Sequence, residues 1–216
     1  MTSCEHPVHV CGQRLTTPRH ICCFFDSRDQ QYAVLAPYFK EGLANGEEVF
    51  CIMEEHFVEE HRGRLVAAGI DVPAQELIGN LKTTTSDDTY LSGGRFGKDR
   101  MYDMLAARLD GLRDTGFSGI RTCGDMEWAL RNLPGTDELM EYESEVNRLL
   151  ADRDDATFVC VYDANRISGK AMLDILSTHT HVVIGTSVAT NPYCMSPDEY
   201  RRAFLTRRAA TRLQAG

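Results

Sequence analysis

Hydrophobic positions fall into short runs separated by helical stretches over most of the chain. Residues 20–25, HICCFF, are followed by Tyr32, Leu35, Phe39 and Leu43 at helical spacing, which predicts a strand and then a helix over about 28–45. VFCIM, 49–53, predicts a second strand, followed by a helix over about 55–68 that ends at Gly69. ELIGNLK, 76–82, reads as a third strand. Met101, Met104, Leu105, Leu109 and Leu112 mark one side of a helix over about 98–114. A strand at 119–126, a helix near 136–151 and a strand at 157–162 follow. A short helix at 169–178, a strand at 181–185 and a closing helix from Ser196 complete the pattern. Strands alternating with helices in this way predict an α/β fold, a three-layer and mostly parallel sheet with helices on its faces.

Local signals refine the boundaries. Ser27 and Gln30 form a capping box, and Gly46 supplies a left-handed stop. Pro37 is expected to kink the first helix or open its hydrogen bonds. Ser196-Pro197-Asp198-Glu199 combines an N-cap, Pro at the first helical position and a capping-box Glu. The polar, glycine-bearing segment 83–97 is the longest loop candidate and so a candidate lid. The chain divides into an N-terminal Cys/His-containing arm, 1–18, an α/β body, 19–195, and an Arg-rich helix, 196–216.

The chain has 216 residues with a formal charge of −9, which fits one soluble domain and argues against direct nucleic-acid binding. No apolar run approaches the ~20 residues of a membrane span, and the first residues do not read as a signal peptide. The expectation is a cytoplasmic protein with no membrane partner, which can also self-associate. Its eight cysteines then read as thiols, with Cys22, Cys23, Cys51 and Cys160 packed as small hydrophobes.

Ligands of open α/β sheets bind beyond the carboxyl ends of the strands. Asp26, Asp125, Glu127, Trp128, Tyr162 and Asp163 fall at predicted strand ends, and Asn191, Pro192 and Tyr193 follow the last strand. Trp128 reads either as a flat ligand wall or as a core anchor. His179 and His181 share a side just before a strand, as polar lining or a solvated start. A phosphate loop needs glycines, open backbone N–H groups and a lysine. The junction at 26–31 has no glycine or lysine, while SGGRFGK at 92–98 lacks the spacing, so ATP is not an expected ligand.

Cys4, His6, His9 and Cys11 lie within eight residues and offer thiolate and imidazole ligands for zinc or iron, or for haem; a disordered or merely surface-packed arm is the plainer reading. His20 and Cys22 share a strand face and can extend that set. An enzymatic alternative makes Glu127 an acid/base beside Tyr162 or His179, although no G-x-S-x-G elbow occurs. Arg201, Arg202, Arg207, Arg208 and Arg212 on the last helix read as a solvated face or as a docking surface for a protein partner.

Several blocks carry a family resemblance: HICCFFDSRDQQYAVLAPYFKEGLANGEEVFCI, GRFGKDRM, GDMEWAL, YESEVNRLL, VCVYDANRISGKAMLDILSTHTHVVIG and NPYCMSPDEY. Together, over about 19–205, they resemble the MEDS (methanogen/methylotroph, DcmR sensory) domain family. The resemblance implies a RecA/KaiC-like fold with a degenerate phosphate loop, used to sense small hydrocarbon-derived or similar ligands. It also implies companionship with DNA-binding, kinase or anti-sigma modules. No helix-turn-helix accompanies the blocks here, so the expected signal passes to a separate regulatory protein. Asp26, Met126-Glu127-Trp128, Tyr162, Asp163, His179, Asn191 and Pro192 lie in the family's blocks.

Overall fold

The computed structural model describes residues 7–214, except for the side chains of 113 and 207–214. The Cys4 and His6 part of the arm, and the Arg207, Arg208 and Arg212 side chains, lie outside the described residues. Strands β1 (His9–Val10) and β2 (Gln13–Arg14) pair as a small hairpin. The body then runs β3 (His20–Phe25), α1 (Arg28–Ala44), β4 (Glu48–Met53), α2 (Val58–Ala67), α3 (Val72–Leu77) and β5 (Leu81–Thr85). It continues through α4 (Lys98–Thr115), β6 (Ile120–Asp125), α5 (Leu139–Leu150), β7 (Ala156–Asp163) and α6 (Gly169–Leu176). Strands β8 (His181–Ile184) and β9 (Ser187–Thr190) and helix α7 (Pro197–Gln214) complete it.

Seven strands form one sheet in the order β5-β4-β6-β7-β3-β8-β9, parallel except for β9. All six residues of β3, β4 and β6 are buried, as central strands covered on both faces are; β3 and β4 are mostly apolar, while β6 buries Arg121 and Asp125 as well. Ile21, Cys23 and Phe25 face a core built from Leu35 and Phe39 of α1, Leu65 of α2 and the β1–β2 hairpin residues Val8, Val10 and Leu15. Cys22 and Phe24 face the opposite core, with Met101 and Leu109 of α4, Tyr142 and Val146 of α5 and Ile175 of α6. Each fully buried side chain of this size contributes about 1.5–3 kcal/mol. The three-layer, mostly parallel α/β architecture predicted from the pattern is thus present.

Helix α1 runs seven residues past Pro37 to Ala44, close to its predicted end. Three expectations change or are decided. The segment 76–82 is not a strand: Asp71 caps α3 by accepting from the Ala74 N–H, and only Leu81–Thr85 enters the sheet. Residues 7–15 form a packed arm rather than a disordered one, because their apolar residues join the α1 core. The 86–97 loop is docked: Tyr90, Leu91 and Phe96 are buried, and the Arg100 guanidinium donates to the Thr89, Tyr90, Ser92 and Arg95 carbonyls. A free lid would leave those carbonyls to water.

Candidate functional site

At the carboxyl edge of the sheet, β3 stops at Phe25 and the chain turns into α1. The Ser27 hydroxyl accepts from the Gln30 N–H at 3.3 Å, and the Gln30 carboxamide accepts from the Asp26 N–H at 2.9 Å. The capping box therefore uses the helix N-terminus that a phosphate loop would leave open.

Arg28, on the first turn of α1, reaches across to the end of β6. Its guanidinium donates to Asp125 at 2.8 Å, to Glu127 at 3.3 Å and to the Gln31 side chain at 2.7 Å, and lies 3.8 Å over the Phe57 ring. Arg166 pairs with the other Glu127 oxygen. Asp125 is buried and also accepts from the Glu127 N–H at 3.0 Å. Burial pushes its pKa up, and the Arg28 charge opposes that rise. Asp163 accepts from the Asn165 N–H at 2.9 Å, and the Asn165 carboxamide ties this loop to the Asp26 carbonyl at 3.0 Å.

These residues line a cleft of about 290 Å³ that includes Asp26, Arg28, Phe57, Asp125, Glu127, Tyr162 and Asp163. Beside it, a second hollow of about 190 Å³ is walled by apolar groups such as Met126, Leu130, Leu139, Met140, Ile167 and Ile175. The two share Glu127, Tyr162 and Asp163. The rim carries four carboxylates against two guanidinium groups, so it suits a neutral or cationic polar group rather than a phosphate. The Tyr162 hydroxyl is buried without a hydrogen-bond partner among the described residues, and burial raises its pKa.

Five of the sequence candidates thus come together: Asp26, Asp125, Glu127, Tyr162 and Asp163. The others do not join them. Trp128 is completely buried, stacked on Tyr90 at 4.9 Å and Phe96 at 5.1 Å, and lines neither hollow. It is the core anchor of its two readings. Asn191 and Tyr193 sit at the amino edge, because β9 runs antiparallel and carries the chain back beside His181. There Asn191 donates to the Leu176 and His179 carbonyls and holds the turn, while the Tyr193 side chain is exposed. His179 is also at that end, fully buried, its pKa lowered by burial and then by His20. The enzymatic pairing of Glu127 with His179 is therefore not assembled.

The metal candidates divide in the same way. His9 pairs with Glu41 of α1 at 2.6 Å, and Cys11 packs on the α1-side core. Cys22 packs on the other face of β3, and His20 contacts α5 on that face, so neither can extend a set formed by His9 and Cys11. Arg28, Arg166 and the apolar hollow were not legible as site components. A cation flanked by Asp26 and Asp29 looks solvated until β6 brings Asp125 and Glu127 opposite it.

The fold is an open α/β sheet with a two-part crevice beyond its strand ends. The profile of the family described as "MEthanogen/methylotroph, DcmR Sensory domain" (MEDS) matches residues 19–180, and the chain belongs to that family. The chain is also 24% identical over 186 residues to the "Transcriptional repressor DcmR" of Methylorubrum extorquens, covering 79% of this chain and 61% of that protein. Among solved structures it is similar to a "prototypical ATPase from the type III secretion system of pathogenic bacteria", at 11% identity and a TM-score of 0.49 over 92% of this chain and 64% of that one. No helix among the described residues is long and apolar enough to cross a membrane.

Proposed function

We propose that the chain senses a small organic molecule that has a neutral or cationic polar group and a short apolar body, and that it passes the signal to a regulatory partner. The observation carrying this reading is the polar cleft joined to an apolar hollow through Glu127, Tyr162 and Asp163. Glu127 would contact the polar group, with Arg28 and Arg166 holding the carboxylate in place; Met140 and Ile175 would wall the apolar body. A ligand changes the balance of two states only through unequal affinity for them. The Arg28–Asp125 and Asn165–Asp26 ties, which join α1, β6 and the β7–α6 loop, are the contacts such a ligand would rearrange. The repressor relative supports transcription control as the output. The partner would be a DNA-binding, kinase or anti-sigma module.

Thermal-shift titration with short-chain alcohols, amines and amides of graded length tests the reading. Saturable stabilisation should appear, weaken in Glu127→Gln, and lose its dependence on chain length in Ala129→Leu, which narrows the apolar hollow. Equal stabilisation of all three proteins would sink this crevice as the binding site.

A further inference from the structure

We propose that His20, Glu143, Cys160 and His179 form a buried four-coordinate site for a divalent transition-metal ion, with zinc the best chemical match. All four side chains are buried, and their donor atoms lie within 4.8 Å of one another. They come from four places: the start of β3, the middle of α5, the middle of β7 and the turn before β8. The Glu143 carboxylate oxygen is 3.1 Å from His20 Nε2 and 3.7 Å from both His179 Nε2 and Cys160 Sγ. Cys160 Sγ is 3.7 Å from His20 Nε2. With zinc bonds of about 2.1 Å to N or O and about 2.3 Å to S, a tetrahedron separates its donors by roughly 3.4–3.6 Å. Four of the six donor pairs already lie close to that spacing, and the other two lie within 4.8 Å.

The outer hydrogen bonds decide where the imidazole lone pairs point. Asn147 donates its carboxamide N–H to the Thr178 carbonyl at 2.7 Å, which turns its oxygen toward His20 Nδ1 at 3.1 Å. His179 Nδ1 faces the Ile175 carbonyl at 2.9 Å. The Thr178 hydroxyl also lies 3.0 Å from His179 Nδ1, but it donates its own proton to the Ile175 carbonyl at 2.9 Å. The Asn147 and Ile175 oxygens can only accept, so both Nδ1 atoms carry the proton. Both Nε2 atoms are then left as lone pairs, aimed at a carboxylate and a sulfur. Metal-binding histidines are held in this way, through the second ring nitrogen. One extra proton can reconcile His20 with Glu143, yet His179 Nε2 still has no hydrogen-bond partner among the described residues. A cation at the centre satisfies all four groups at once.

The donor set of two imidazoles, one carboxylate and one thiolate suits zinc, and no position is left open to solvent, as in a structural site. On binding, the Cys160 thiol gives up its proton to solvent as the metal–sulfur bond forms. The site lies next to the crevice, since the His179 ring meets the edge of Tyr162 at 6.2 Å, but the inference does not depend on what the crevice binds.

The test refolds chelator-stripped full-length chain with Co(II) or Zn(II). One metal per chain should bind, Zn(II) should raise the melting temperature, and Co(II) should give a near-ultraviolet sulfur-to-metal charge-transfer band. Cys160→Ser should abolish the band, while Cys4→Ser/Cys11→Ser should keep it. Asn147→Ala, which removes no donor, should weaken Co(II) binding about 10- to 100-fold. Far-ultraviolet circular dichroism checks folding, and His179→Gln, with binding weakened at least about tenfold, replaces Cys160→Ser should that variant fail to fold. No stoichiometric metal on the wild type, or a band that survives Cys160→Ser or disappears in the arm variant, would overturn the proposal.

Discussion

The His61 imidazole is 1% exposed and shares a 2.7 Å hydrogen bond with the Tyr32 hydroxyl. Burial, then the Arg28 charge, lowers its pKa to about 4. Unfolded, it titrates near 6.5. The folded chain therefore binds fewer protons between these values, and stability is full above pH 6.5 and falls as the pH drops toward about 4. The difference is about 3 kcal/mol. Urea unfolding from pH 7.5 to 4 should show this loss, with one fewer proton taken up on unfolding in His61→Gln. Trp128 yields a second expectation. Truncating it to Ala removes the plate between Tyr90 and Phe96 and should cost about 3–5 kcal/mol by urea unfolding. Its local sequence could not separate core from crevice, since both place a tryptophan just beyond a strand; only the docked loop at 86–97 decides.

At the scale of elements, α1, the turn that leads into β4 and β6 are joined by one buried cation. Arg121 is completely buried, pairs with Glu47, and donates to Glu41 at 2.8 Å and to the Tyr38 carbonyl at 2.7 Å. Gly42 permits this approach, because a Cβ there would stand 2.7 Å from Arg121 Cδ. Arg121→Met should cost about 3–5 kcal/mol by leaving the Glu47 carboxylate buried without its partner, and adding Glu47→Leu should recover much of that loss. Chemical denaturation of the two variants checks both outcomes. The start of α7 is a smaller contribution: Glu199 accepts from the Ser196 N–H at 2.9 Å and from its hydroxyl at 2.6 Å. Ser196→Ala should therefore cost about 1 kcal/mol. Caps were readable in the chain because their partners lie within four residues. Strand β9 was not, since a two-residue reversal after Ile184 looks like any strand-end loop.

Across the whole molecule, two apolar cores sandwich the sheet and bury five thiols, Cys22, Cys23, Cys51, Cys123 and Cys160. Burial raises every one of their pKa values, Cys51 to about 12. Alkylation of the native protein followed by mass spectrometry should leave these five unmodified until denaturant is added. Cys11 and Cys194 are half-buried and should react first among the described cysteines.

Periodicity by itself determined the order of most strands and helices, though not the β1–β2 hairpin, α3 or β9, together with the mostly parallel sheet and the positions of the caps, because each depends on residues close together in the chain. It also placed Asp26, Asp125, Glu127, Tyr162 and Asp163 at strand ends, which a parallel sheet must gather at one edge. Only the tertiary structure decided that Arg28 holds Asp125 and Glu127, that β9 removes Asn191 to the far edge, and that His20 and His179 meet Glu143 and Cys160. Those partners are separated by up to about 160 residues, and their meeting follows from strand order and register, which no local pattern encodes.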